Sequence, residues 1–373
     1  MKKKTVILYI VSFVIVMCLP HLLFAACRNF VDTANYENRS LYEAPVIGQT
    51  PYKDLPSSFE SFYNDRLPFR NQLIALNNSI GYFVFGATTG DRVMIGKDGW
   101  LFIEDKNQGN AVTNYNGKDT INDEELAALA ENLVRNQKII EDAGMEFVIF
   151  VSPNKNRVYS EYMPDYMGEP ATQYQLKQII EYLRANTDLR IVYDYDEIMQ
   201  AKDTLEDRGI HVYNKVDTHW NNVGAYAGAM ALLKELGIDM PDIESLSFEP
   251  VENDASDLGG MLHLKDYFMD KEVNYAVSGY ETNSMEELAF DEDDVISYQS
   301  QAPDARTVYV CRDSFAKAMG PYLGSQFKKV YMKHQNFYNV NDLLSVDPDV
   351  FVLETVERGA YFAFTEFNVL REE

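Results

Sequence analysis

Residues 306–320, "RTVYVCRDSFAKAMG", decide how this chain is read. Arg306–Cys311 is a short run rich in β-branched and aromatic residues, the pattern of a buried strand, and Ser314–Gly320 has helix-forming composition. Ser314 stands at the junction. In an open α/β sheet that junction lies at the C-terminal edge of a parallel strand, where such folds place their sites. The free N–H groups of a helix's first turn would stabilise an oxyanion there. Asp313 and Ser314 are also ordinary N-cap residues, and that structural role fits the same letters.

Working outward, the same alternation recurs. "NDEELAALAENLVRNQKIIEDAG" predicts an amphipathic helix closed by Gly144, and "MEFVIFVS" a buried strand stopping at Pro153. Helix "TQYQLKQIIEYLRANT", strand "LRIVYD", helix "NNVGAYAGAMALLKELG" and the strands "KVYMKH" and "DVFVLE" continue it. The fold class is therefore α/β, a parallel sheet flanked by helices. Between 248 and 301 the rhythm fails, and that stretch reads as an irregular insertion with some antiparallel strands. Its acidic run "EELAFDEDD" reads as a solvated loop. Further upstream, "IGKDGWLFIED" predicts a tight turn at Asp98-Gly99 leading into a short strand. "SSFESFYNDRLPFRNQLIALNNSIGYFVFG" has helical spacing, with Ser57 or Ser58 as N-cap and Pro68 as a break.

"MKKK" precedes an apolar run over residues 6–26, long enough at roughly 30 Å to cross a bilayer. Lys2, Lys3 and Lys4 place the remainder outside the cytoplasm. An uncleaved single-pass anchor in the cell membrane is preferred to a cleaved signal peptide, since no Ala-x-Ala site closes the run, and to a lipid anchor on Cys27. The expected organisation is 1–27 anchor or signal peptide, 28–56 extracytoplasmic linker and 57–373 a single α/β domain. The 373 residues, 46% hydrophobic, suffice for a large core. A formal net charge of −25 argues against nucleic acid. The three cysteines include one inside the apolar run and form no disulfide framework.

"VDTHW" (216–220) puts Asp217 and His219 two positions apart. In an extended segment both would face one way and Thr218 the other, letting the carboxylate fix the imidazole tautomer and leave the second nitrogen as a base. A buried structural pair is the plainer reading. A metal site lacks a third and fourth ligand at recognisable spacing.

Taken with "GKDGWLF" (96–102), "VSPNK" (151–155), "DLGGML" (257–262) and "RDSF" (312–315), "DTHW" resembles the AlgX/AlgJ-like and DHHW proteins. These are extracytoplasmic, SGNH-hydrolase-like proteins associated with O-acetylation of polysaccharides. The resemblance implies Ser314 as nucleophile, His219 as general base and Asp217 as its orienting carboxylate, in a circularly permuted motif order. It implies an O-acetyltransferase working through an acyl-serine on a cell-surface or secreted polysaccharide. It also implies a polytopic membrane acyltransferase partner that supplies acetyl groups, and no cofactor or metal. The alternatives are an acetylesterase with the same triad, or a non-catalytic glycan-binding or cell-wall assembly protein. The family's Gly and Asn oxyanion donors have no secure counterpart, Asn154 and Asn336 being candidates. Arg312, Lys155, Asn154 and Trp220 are the candidate substrate contacts, each with a structural alternative.

Overall fold

The computed structural model describes residues 3–35, 40–88, 90–253, 255–269, 273–280, 283–291 and 294–372. Lys2 of the basic leader, residues 36–39 of the expected linker and residues 292–293 of the acidic run lie outside the described residues. The chain divides into two compact units, Met1–Gly90 with Gly259–Tyr267, and Asp91–Leu258 with Phe268–Glu373.

In the first unit, helix Lys3–Cys27 is apolar and long enough to cross a membrane. Helices Leu55–Asp65 and Arg70–Ile80 follow, separated around Pro68. The first begins at Leu55 with Asp54 at the N-cap and Pro56 in the opening turn, so Ser57 and Ser58 fall inside it. Proline fits the first turn because the N–H it lacks has no helical partner there.

Among the described residues the second unit has eleven short strands: β1 (Val93–Ile95), β2 (Leu101–Ile103), β3 (Glu146–Ser152), β4 (Ile191–Tyr193), β5 (Ser247–Val251), β6 (Asn274–Ser278), β7 (Met285–Phe290), β8 (Val295–Ser300), β9 (Asp304–Arg312), β10 (Phe327–His334) and β11 (Val350–Val356). Seven form one sheet in the order β4-β3-β11-β9-β10-β8-β7. The run β4 to β10 is parallel, while β8 and β7 add an antiparallel edge. The stretch around 248–301 thus supplies β5 and β6, paired with each other, and the β7–β8 edge.

Period-2 alternation sorts the strand residues into two cores. Val308, Val310, Val350 and Val352 face one layer with Ile198, Leu205 and Tyr226 from helices Tyr195–Leu205 and Asn222–Glu235. Tyr309, Cys311, Phe351 and Leu353 face the other, against Leu129, Leu133 and Ile179 of helices Asp123–Asp142 and Gln175–Asn186. Helix Asp123–Asp142 opens with a reciprocal capping box between Asn122 and Glu125.

Candidate active site

Ser314 is exposed two residues beyond the end of β9, on a tight bend that Asp313 holds. Asp313 Oδ1 accepts from Phe315 N at 2.7 Å, and its Oδ2 accepts from Val356 N at the end of β11, also at 2.7 Å. The backbone N–H of Asp313 donates to buried Glu354 on β11 at 3.0 Å. Asp313 is thus an anchor between neighbouring strands rather than a helix cap. The chain then makes one 3-10 turn, Ala316–Met319, and a short helix, Gly320–Gly324. Elements this short carry little macrodipole, so the expected helix-end field at Ser314 is weak.

The second half of the site comes from residues 212–221. This segment is not extended: Asp217 Oδ1 accepts from His219 N at 3.0 Å, closing a bend that brings the two side chains together. Asn214 N donates to His219 O, and Asn221 N to Val212 O. Asn221 caps helix Asn222–Glu235 through Val223 and Gly224 N–H. Gly224 is required here because a Cβ would stand 2.2 Å from Val212 O.

Across the two halves, His219 Nδ1 lies 2.7 Å from Asp217 Oδ1 and Nε2 lies 2.8 Å from Ser314 Oγ. The carboxylate can only accept, so the proton sits on Nδ1 and Nε2 presents a lone pair to the serine. Burial pushes the Asp217 carboxyl up, but the His219 charge and hydrogen bonds from His219 and Asp257 N outweigh it, leaving it well below the usual carboxylate range. Burial works against the His219 cation too, yet Asp217 and then Asp257 raise its pKa overall.

Thr218 does not turn away from the site. Its Oγ1 donates to Asp257 Oδ2 at 2.5 Å and lies 3.2 Å from His219 Nδ1, while its N–H donates to Asp257 Oδ1 at 2.8 Å. Ligand atoms of Asp217, His219 and Asp257 lie within 4.8 Å of one another, so the fold adds a third candidate metal ligand that spacing did not offer. The hydrogen bonds just described already engage these same carboxylates. Burial, then the charge of Asp217, pushes Asp257 up to about 6.

The other candidates are less accessible than the sequence reading expects. Lys155 is buried, and its Nζ donates to the carbonyls of Asn214 (3.1 Å), Lys215 (3.1 Å) and Asp217 (2.5 Å). These contacts tie it to the bend that carries Asp217. Trp220 is buried, with Nε1 donating to Phe315 O at 2.9 Å, which ties the two halves together in place of a sugar platform. Arg312 is wholly buried and its Nη1 donates to Asp313 O at 3.1 Å. Asn154 is buried after β3, its N–H donating to Glu357 and its Oδ1 3.5 Å from Arg358 Nη1. Asn336 lies in the exposed turn after β10, with its N–H on His334.

Two residues without a local signal complete the site. Asp257 is one, although the "DLGGML" block contains it. Arg358 follows β11, and its position at that strand's C-terminal edge is the one available cue. Its guanidinium lies 5.3 Å above the Phe315 ring, itself 4.9 Å from the His219 ring. Nε donates to Gln108 O at 3.0 Å, and Gly109 (φ +97°) passes so near that a Cβ would meet Arg358 O at 2.7 Å. Among the described residues no carboxylate forms an ion pair with Arg358. Burial lowers its pKa despite attraction from Asp313 and Asp257.

A mainly parallel seven-stranded sheet flanked by helices, carrying a Ser–His–Asp arrangement at its strand ends, defines an SGNH-like α/β protein. More narrowly, the chain is AlgX/AlgJ-like: residues 93–278 match the family described as the SGNH hydrolase-like domain of acetyltransferase AlgX. That stretch includes Asp217, His219 and Asp257 and ends before Ser314. A probable alginate O-acetylase AlgJ of Pseudomonas putida is 28% identical over 141 residues, 38% of this chain. The match spans 32% of that relative's length. The fold is shared with a DHHW family protein from Eubacterium siraeum (TM-score 0.50, 12% identity, 76% of this chain and 100% of that one). It is also shared with Bacillus cereus PatB1, solved with a sulfonyl adduct (TM-score 0.51, 14% identity, 74% and 99%).

Proposed function

We propose that this protein is a serine-dependent O-acetyltransferase that modifies a cell-surface or secreted polysaccharide. The observation that carries the reading is the continuous relay Asp217 Oδ1–His219 Nδ1 and His219 Nε2–Ser314 Oγ, at 2.7 and 2.8 Å, ending on an exposed hydroxyl. The AlgX-type match over residues 93–278 supports the acyl-transfer class.

In this reading Ser314 Oγ attacks the carbonyl carbon of an acetyl donor as His219 Nε2 takes its proton. Asp217 holds the resulting imidazolium in orientation. Arg358, a partly buried cation with no carboxylate ion pair among the described residues, and the Ser314 N–H offset the negative charge on the acyl oxygen. The intermediate collapses when His219 returns the proton to the leaving group, giving an acetyl-serine. A sugar hydroxyl then attacks that ester, its proton passes to His219, and Ser314 Oγ departs reprotonated. The apolar helix Lys3–Cys27 serves as an anchor that keeps the second unit outside the cytoplasm, where a polytopic membrane acyltransferase delivers acetyl groups.

The test is acyl-enzyme capture. Full-length protein treated with an activated acetyl ester is expected to gain one acetyl group on Ser314 by peptide mass spectrometry and to pass it to an added oligosaccharide. Ser314→Ala should remain folded and lose both signals. A wild type without the adduct defeats the enzymatic reading; an adduct released only to water favours an esterase.

A further inference from the structure

Helix Arg70–Ile80 and the π-turn Gly81–Phe85 that continues it are patterned inside out. The inward positions hold Asn71 and Asn78, each 8% exposed, whose side-chain amides donate to Ala34 O and Leu262 O. The outward positions hold Leu73 (52% exposed), Leu76 (59%), Ile80 (47%) and Phe83 (55%), with uncharged Gln72 and Asn77 exposed beside them. These fall at i, i+3, i+7 and i+10, one stripe of a helix. From Asn71 to Thr88 no residue is charged, in a chain whose residues are 24% charged. A water-facing helix has the opposite arrangement, and a contiguous apolar stripe marks an interaction surface.

The same unit ties the residues before the stripe to the apolar helix. Tyr63 stacks on His21 with ring centroids 6.0 Å apart, and Phe69 meets Phe24 edge-on at 5.9 Å. His21 and Phe24 lie in the last turns of the apolar helix Lys3–Cys27. Residues flanking the inverted helix are therefore held at the level where a membrane-crossing segment leaves the acyl chains. The other end of the helix is aromatic too: Tyr82 and Phe83 pack edge-on against Tyr267. Aromatic enrichment of this kind belongs to the membrane–water boundary.

From these observations we infer that residues 70–85 form an interfacial helix lying in the outer leaflet, with Leu73, Leu76, Ile80 and Phe83 immersed in lipid. The segment is too short to span and its inward asparagines are satisfied by protein, so it lies in the plane, roughly 5–10 Å into the headgroup–acyl boundary. The inference does not depend on the acetyltransferase reading.

Depth-dependent quenching tests it. Full-length Leu76→Trp protein is reconstituted in phosphatidylcholine–phosphatidylglycerol vesicles with acyl chains brominated near the headgroup. The two native tryptophans, Trp100 and Trp220, are buried in the second unit and set the background in wild-type protein. Emission from the introduced tryptophan is expected to be blue-shifted and to fall more than about twofold relative to unbrominated lipid, and less with bromines deep in the chain. Ile80→Trp should behave alike, guarding against a local defect at one position. Emission that stays red-shifted and unquenched in both variants overturns the inference. So does a blue shift without bromine quenching, which would mean that protein, such as a second copy, covers the stripe.

Discussion

The backbone N–H of Asp257 donates to Asp217 Oδ2 at 2.8 Å, while the Asp257 carboxylate holds Thr218 through both its N–H and its hydroxyl. Because Thr218 Oγ1 gives its proton to Asp257, it can offer only a lone pair to His219 Nδ1. Asp257 therefore acts on the imidazole both through Thr218 and by its own charge, 3.9 Å from Nδ1.

Replacing that carboxylate should change the pH profile. Asp257 is one of the charges that raise the His219 pKa, and His219 is a base only when neutral. Removing the charge in Asp257→Asn lowers that pKa, so the acid limb of kcat/KM is expected to move to lower pH. Its own carboxyl is pushed up to about 6, so below that pH wild type also loses the charge and the contrast with the variant fades. An unchanged acid limb would reduce Asp257 to a structural tie.

Asp217→Asn has one acceptor oxygen where the carboxylate used Oδ1 for His219 and Oδ2 for Asp257 N, so it loses the charge that supports the imidazolium and one of those bonds. A fall in kcat of about 10⁴-fold at neutral pH is expected, with circular dichroism unaltered. Acyl-ester turnover kinetics measure it.

Arg358→Ala should lower kcat by about 10²–10³-fold while the donor KM changes little, the mark of a charge felt mainly in the transition state. Arg358→Lys should not restore it. Lysine cannot keep the Nε bond to Gln108 O and still present a second nitrogen to the site.

Lys155→Met tests bracing against substrate contact. Three carbonyls lose their shared donor, and a loss of about 2–4 kcal/mol in urea unfolding is expected. In protein that remains folded, the acceptor KM should be close to that of wild type. A raised acceptor KM at unchanged stability would return Lys155 to the substrate.

Much of the fold was legible because strand and helix periods are local. Arg306–Cys311 and Glu146–Ser152 announce themselves by composition, and their burial follows. The pairing of Asp217 with His219 was legible from their separation, although a bend achieves it and an extended strand does not. Spacing cannot show a partner delivered by another loop. Asp257 reaches the site from the 248–301 stretch and Arg358 from the end of β11, and beyond the family block around the first and the strand-end position of the second, nothing in their own neighbourhoods sets them apart. The burial of Lys155 was hidden for a related reason: a strand-end lysine suggests solvent, and the three carbonyls it donates to come from a distant bend.

The order of strands bears on how the chain acquires its shape. β11, the last strand in sequence, lies between β3 and β9 in the middle of the sheet. Until it inserts, β3–β4 and β9–β10–β8–β7 are separate ribbons with unsatisfied inner edges. The Asp313–Val356 bond that holds the serine bend is formed by β11 itself. During synthesis from the N-terminus the chain therefore has no intermediate stage with a finished sheet. The Ser314 hydroxyl is set in place only when β11 closes the centre of the sheet, a late step dominated by long-range contacts.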